Sequence, residues 1–364
     1  MREIELRRIL HQHPEPSFKE FTTHKILKKF IEELNFGEIF PVETGLVIVR
    51  RMLKDNSFVL FRAEMDALEI EEKTNYSYRS KNNFMHACGH DFHMAALYGL
   101  MKRIVERNFA GNVICVFQPG EETGCGALKI LNFLLEKGYD IKAAVAMHVT
   151  DEYPVGTIAS KPGTLFCASL EIDVEVVGQA AHAAFHWMGK DALRTCVEFL
   201  EKFYKMSWCD DLVWFGKIAG GRARNVVADE VVLQGTIRSK KLEKIDSIVE
   251  KLNQTLKEIC LDLGTSFQIK RGATYRQVEV NEKLFSVLKQ VAVAYGWNFV
   301  ECDTKFTAED FGYFSQYYPA LMFWFGTKER ETYGLHSDRF LPADELVPKA
   351  SEFLYSLLLH LMIF

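Results

Sequence analysis

The chain has 364 residues, 48% of them hydrophobic and 26% charged, which is enough for two separately packed domains of ordinary globular composition. A net charge of -5, with acidic and basic residues intermixed, offers no basic stripe and argues against a nucleic-acid partner. The cysteines at 88, 115, 125, 167, 196, 209, 260 and 302 form no CxxC pair, and we read them as reduced thiols of a cytoplasmic protein.

The opening MREIELRRIL has no uninterrupted apolar run and reads as an amphipathic helix, not a secretory leader. Two prolines in LHQHPEPSFKEF then break the pattern before a second helix at about 22–34. His11, His13 and His24 have no partner signal and are taken as structural or surface residues. Short strands at 45–50 and 58–62 follow, the second running into AEMDAL, where Asp66 could orient a metal-bound imidazole from behind. The stretch MHACGHDFHMAALYG places Cys88 and His90 just before a helix that starts near Asp91, with Leu97, Leu100, Met101, Ile104 and Val105 at helical spacing. An apolar run at 113–117 ends in QPGEE, which supplies Glu121 and Glu122. After a helix at 127–137, a further run at 143–147 ends at His148. Strands alternating with helices imply a mostly parallel sheet covered on both faces, with functional residues beyond its strand ends.

The pattern changes at Leu170, Ile172, Val174 and Val176, which alternate with Glu171, Asp173 and Glu175 as in a strand with one wet face. Helices at 191–205 and 242–263 and strands near 213–219, 231–238 and 267–271 complete a β-α-β-β-α-β order, that of a ferredoxin-like unit. The expected organisation is therefore α/β: a first domain at 1–165 and 276–364, with a mixed, mostly parallel sheet flanked by helices, interrupted at 166–275 by an α+β insert. The returning part has a helix at 282–295, the segment TAEDFGYF, a strand at 321–325, and YGLHSDRF with His336. The apolar end, 353–364, falls short of the ~20 residues that span a bilayer and reads as a packed helix, so no membrane partner is expected. GEETGCGALK lacks the ending of a phosphate-binding loop, and no nucleotide cofactor is indicated.

Cys88, His90, Glu122, His148 and His336 are five ligand-type residues placed after strands of one expected sheet. One tetrahedral metal needs fewer, whereas two divalent ions sharing a bridging carboxylate would use them all. Glu121, next to the bridging candidate, would be the general base.

With these residues in place, the chain resembles the metal-dependent amidohydrolases that include aminoacylase-like enzymes, hippurate hydrolase, auxin-conjugate hydrolases and N-acetyldiaminopimelate deacetylase. The resemblance covers nearly the whole chain through LHQHPEPSFKE, RAEMDALEIEE, MHACGHDFH, FQPGEETGCGA, MHVTDEYPVGTIA, AAHAA, GGRARNVVADEVVLQGTIRS, TAEDFGYF and YGLHSDRF. It implies a two-metal catalytic domain holding zinc, manganese or cobalt on the five ligands named, Glu121 as base and acid, and a ferredoxin-like lid that also joins subunits into a homodimer or larger homo-oligomer. It further implies that His182 stabilises the oxyanion, often in a neighbouring subunit's site, and that Asn225 and Arg238 hold the substrate, a small N-acyl amino acid. His86 and His93 match the motif without being ligands. Within the family, EYPVGTIASKPGTLF, RGATYRQV, MFWFG and YGLH look most like deacetylases acting on N-acetyldiaminopimelate in lysine biosynthesis. A broader hippurate-type amidohydrolase, a carboxypeptidase and a catalytically silent binding dimer are the alternatives. Glu64 stands where Asp is usual, Glu69 replaces Pro, Gly120 replaces Ala, Ala180-Ala181 replace a Gly pair, and His186-Trp187 replace Pro-His, so the lid loop is the part whose chemistry departs from the pattern.

Overall fold

The computed structural model describes residues 1–124 and 126–362, so Cys125 and the last two positions of the expected terminal helix lie outside the described residues. The elements run α1 (Arg2–His11), α2 (Phe21–Leu34), β1 (Glu38–Val42), β2 (Gly45–Arg50), β3 (Ser57–Glu64), α3 (His90–Glu106), β4 (Val113–Gln118), α4 (Gly126–Lys137), β5 (Asp140–Pro154), β6 (Thr157–Ser160) and β7 (Gly163–Phe166). Next come β8 (Ala168–Val177), a short 3₁₀ turn (Ala183–Met188), α5 (Ala192–Tyr204), β9 (Leu212–Gly220), β10 (Glu230–Ser239), α6 (Leu242–Leu263) and β11 (Ser266–Tyr275). The chain ends with β12 (Val278–Val280), α7 (Glu282–Ala294), β13 (Asn298–Glu301), α8 (Gly312–Ser315), β14 (Ala320–Lys328) and α9 (Leu346–Leu361). Among the described residues, no helix is long and apolar enough to cross a membrane.

The chain divides into two compact units: Met1–Leu165 with Val278–Thr304 and Glu309–Phe364, and Phe166–Gln277 with Lys305–Ala308. The larger unit holds an eight-stranded mixed sheet of order β1-β2-β4-β3-β5-β14-β6-β13. Its centre is parallel, β3 pairing with β4 and β5, and β5 with β14. β2, β4 and β14 are buried almost end to end, as expected of Val/Ile/Phe-rich strands with both faces covered. α3 is buried from His90 through Met101. It packs closely on α9 because Gly99 leaves room: a Cβ there would lie 2.1 Å from Ser351 Oγ.

His148 does not sit beyond a strand end as the apolar run implied. β5 continues through it, because the ladder with β14 runs on from Trp324↔His148 to Lys328↔Pro154. The hydrophobic stretch stops where β5 begins to carry buried polar residues, Thr150 and Asp151, and hydrophobicity alone could not reveal that continuation.

The inserted unit has the sheet order β11-β8-β10-β9, all neighbours antiparallel, with α5 and α6 supplying the apolar cover. This is the ferredoxin-like order. In α6, Ile245, Ile248, Leu252, Leu256 and Ile259 fall on one stripe and join Leu170, Ile172, Val174 and Val176 of β8 in the core. Asp191 starts α5 by accepting hydrogen bonds from Leu193 N and Arg194 N, an N-cap that fixes the first turn.

Candidate active site

Three of the expected ligands converge at the start of α3. Single donor atoms of Cys88, His90 and Glu122 all lie within 4.8 Å of one another. His148 Nε2 is 3.4 Å from Cys88 Sγ, and His336 Nε2 is 3.6 Å from Glu122 Oε1. Glu122 is thus the member shared between the Cys88–His90 group and His336.

Local hydrogen bonds set the tautomers. His90 Nδ1 donates to the Asp66 carbonyl at 2.9 Å, and His148 Nδ1 donates to the Val149 carbonyl at 2.8 Å. In its neutral form each imidazole so bonded has its lone pair on Nε2, the form a metal takes. His90 Nε2 is buried and has no hydrogen-bond partner, a costly arrangement for a polar atom with no ligand to meet. The donor set of thiol, imidazoles and carboxylate suits zinc and similar divalent ions, so these residues fit a metal centre.

Asp66 reaches the His90 ring chiefly through its main chain. The closest contact to His90 is through the main-chain carbonyl, with Oδ1 at 3.4 Å, while Oδ2 accepts from Ser17 Oγ at 2.7 Å and Glu122 N at 2.9 Å. Asp66 therefore holds the Glu122 backbone as well as the His90 ring. The loop carrying His336 is tied back to β5, where Asp151 Oδ2 accepts from Tyr333 N and Gly334 N at 2.6 and 3.0 Å.

Burial, and then the carboxylates of Glu122 and Glu121, push the Cys88 thiol well above its ordinary value. A divalent cation is the charge that reverses this. Burial also lowers His90, but its bond to Asp66 and the charge of Glu64 outweigh that and raise it to about 10. Glu122 is pushed up to about 7, chiefly by burial, with His90 opposing. Glu121 is buried and raised well above the carboxylate range by burial first and then by Glu309 and Glu122. A carboxyl whose hold on a proton is strengthened is suited to take one up and return it, as a general acid-base group must.

Two nearby histidines differ from the candidate ligands. His93 Nδ1 bonds Glu64 Oε2 at 2.8 Å and its Nε2 accepts from Val149 N at 2.9 Å, so both nitrogens are committed although the ring lies among His90 and His148. His86 is buried, with burial lowering it to about 4.

Gly120 departs from the resembled pattern for a visible reason. Its φ is +63°, and a Cβ there would lie 2.6 Å from the Phe18 ring, so the turn that presents Glu121 excludes Ala.

His182, Asn225 and Arg238 belong to the inserted unit. His182 Nδ1 accepts from Ala184 N at 3.2 Å, which puts the ring proton on Nε2. Ala183 N donates to the Asn225 carbonyl, so Asn225 adjoins this turn, whereas Arg238 lies on β10 and donates through Nη1 to the Phe306 carbonyl at 2.7 Å. The His186-Trp187 departure forms an exposed aromatic run, with Phe185–Trp187 ring centroids 5.7 Å apart.

The sequence reading missed Glu309 and Asp310, whose carboxyl oxygens lie within 4.8 Å of one from Glu121. The available signal was an adjacent acidic pair set directly before the aromatic residues of DFGYF.

Residues 60–360 match the family described as Peptidase family M20/M25/M40. A curated N-acetyldiaminopimelate deacetylase of Exiguobacterium sibiricum is 34% identical over 361 residues, 95% of each chain. The enzyme of the same name from Geobacillus sp. (strain WCH70) is 31% identical, spanning 97% of this chain and 96% of its own. Among solved structures, the Bacillus subtilis YXEP protein, described as a dinuclear metal binding peptidase from the M20 family, is 27% identical with a TM-score of 0.86, covering 100% of this chain and 97% of that one. A putative aminohydrolase from methicillin-resistant Staphylococcus aureus is 25% identical with a TM-score of 0.90, covering 98% of this chain and 95% of its own.

Proposed function

The chain belongs to peptidase family M20/M25/M40 and is a metal-dependent hydrolase, and from that premise we propose that it cleaves the amide bond of a small N-acyl amino acid, with N-acetyldiaminopimelate as the leading substrate. The observation that carries this reading is the convergence of Cys88, His90, Glu122, His148 and His336 with a buried Glu121 beside them. The substrate assignment draws on relatives of that name at 30 to 34% identity over nearly the whole chain; with that substrate the reaction would belong to lysine biosynthesis, and the scattered cysteines support the cytoplasm as its compartment.

The five ligands would hold two divalent ions, zinc, manganese or cobalt, which when bound polarise the amide carbonyl and make water a nucleophile near neutral pH. Glu121 takes a proton as water oxygen bonds the carbonyl carbon, and returns it to the amine nitrogen as the C–N bond breaks. His182 donates its Nε2 proton in a hydrogen bond to the oxyanion. Arg238 keeps Nη1 on Phe306 and offers the rest of its planar fork to the substrate carboxylate, with Asn225 as a neutral donor. The inserted unit would also join two copies, since its edge strand β9 carries the exposed Trp214 and Ile218.

The test is a panel of N-acetyl and N-benzoyl amino acids, N-acetyldiaminopimelate included, offered to the metal-loaded protein. The highest kcat/KM is expected on N-acetyldiaminopimelate. A preference for benzoyl substrates would move the enzyme to the hippurate type, and cleavage of peptides alone would make it a carboxypeptidase.

A further inference from the structure

Arg62 lies on β3 with its side chain wholly buried. Its guanidinium makes four kinds of contact. Nε donates to Gln118 Oε1 at 2.8 Å, Nη1 to Glu64 Oε1, and Nη2 to Glu309 Oε1 at 2.8 Å and Asp310 Oδ1 at 2.6 Å. A charge taken this far from water is tolerated only when paired and hydrogen-bonded, and only a planar fork can serve three carboxylates at once.

Two chains of contact leave this group. On one side, Glu309 Oε1 also accepts from Phe311 N at 2.9 Å, and Asp310 Oδ2 accepts from Gln118 Nε2 and Ala127 N, both at 2.9 Å. Neither carboxylate can swing away, and both have an oxygen within 4.8 Å of one on Glu121. On the other side, Glu64 Oε2 takes His93 Nδ1–H at 2.8 Å, His93 Nε2 takes Val149 N–H at 2.9 Å, and the Val149 carbonyl takes His148 Nδ1–H at 2.8 Å.

We propose that Arg62 is a positioning residue for the hydrolysis: one buried guanidinium clamps Glu309 and Asp310 beside Glu121 and, through Glu64 and His93, fixes the main chain that orients His148. The inference rests on the reading of Glu121 as the base and His148 as a ligand. It explains why two acidic residues distant in sequence are buried with an arginine under the site: they are its framework. It also gives His93 a purpose, as the link that carries the constraint from β3 to β5.

The experiment compares Arg62→Lys, Glu309→Gln and Glu121→Gln, alone and combined, on the panel substrate turned over fastest, with metal content and Val149 amide hydrogen exchange measured on each. Small misplacement of reacting groups costs about 10²-fold. Arg62→Lys should lose about that much in kcat with KM little changed, and its Val149 amide should exchange faster. Should Arg62→Lys not fold, Glu309→Gln keeps Arg62 and the side-chain shape; it should lower kcat while leaving Val149 protected, and cost little more in the presence of Glu121→Gln. Wild-type kcat in a folded, metal-loaded Arg62→Lys protein, or a Glu309→Gln loss that adds in full to that of Glu121→Gln, would overturn the proposal. If Glu121→Gln alone left kcat unchanged, the base assignment would fall separately, and Val149 exchange in Arg62→Lys would still decide the hold on His148: faster supports it, unchanged refutes it.

Discussion

Strand β3 of the larger unit is buried from Phe58 to Glu64, whereas β8 of the inserted unit buries Leu170, Ile172, Val174 and Val176 and leaves Glu171 and Val177 exposed. The consequence for charge is direct. A strand covered on both faces can carry Arg62 and Glu64 only because each is bonded on every side, while Lys270 and Glu175 of the inserted sheet pair across a wet face. Buried groups of the larger unit are therefore held in one geometry before any substrate arrives. His182 and Asn225, both exposed, keep their hydration until something displaces it. The contrast is thus between groups already fixed by burial and groups still free to rearrange.

The sharpest break in this contrast should come at Glu121. Positioned acid-base catalysis is worth ~10²–10⁴-fold, so Glu121→Gln should cost that much in kcat while metal content, measured by elemental analysis, stays at the wild-type level. Near wild-type turnover would place the base elsewhere.

A second buried group tests stability rather than rate. Asp91 Oδ2 receives Arg7 Nε and His11 Nδ1, both at 3.0 Å, and His11 Nε2 reaches Glu72 at 3.3 Å. Removing one partner of a buried pair costs about 3–5 kcal/mol, so Asp91→Asn should lower the urea midpoint sharply. Burial lowers His11, but Asp91 and Glu72 outweigh it and raise it to about 9, above its ordinary 6.5. Its contribution is thus fully present below pH 6.5 and is lost as pH rises through 9. Wild-type stability should fall across that window by up to about 3 kcal/mol, and His11→Gln should flatten the slope. An equally steep slope in His11→Gln would assign the dependence to another group.

In the exposed unit, the largest effect should be on rate alone. Loss of one oxyanion donor costs about 2.7–4 kcal/mol, so His182→Ala should depress kcat accordingly with no change in urea midpoint, because the ring contributes nothing to a core. A kcat equal to wild type would remove His182 from the reaction.

The same contrast explains what the sequence could disclose. Cys88 and His90 were legible as candidates because a thiol and an imidazole stand just before a helical segment, Glu122 and His336 because they come after apolar runs, and the inserted sheet was legible from strict alternation beside amphipathic helices. Arg62 was not, since its partners Glu309 and Asp310 are 247 and 248 residues away, and an ion pair between distant segments leaves no local pattern. Asp66 was found for its carboxylate, yet its carbonyl makes the closest contact to His90, and backbone acceptors have no sequence signature. His148 was placed beyond a strand because a hydrophobic run ended there, although β5 continues through buried polar residues.

The smallest effect belongs to the inserted unit's surface. Arg271 Nη1 and Asp246 Oδ1 are 2.7 Å apart, a geometry as good as any buried pair, but both side chains are about half exposed or more, at 45% and 60%. Water already solvates each charge, and holding two flexible side chains together costs entropy that the screened attraction barely offsets. Asp246→Asn should therefore change the unfolding free energy by no more than ~1 kcal/mol, and by less still at high salt. Set beside Asp91→Asn, both substitutions remove one carboxylate charge from an arginine at nearly the same distance, and the two sites differ in burial and in the additional hold of Asp91 on His11. A loss at Asp246 as large as that at Asp91 would mean that this face of the inserted unit is not wet in solution. It would then have to be covered by another surface, and a midpoint that depended on protein concentration would identify that surface as a second copy of the chain.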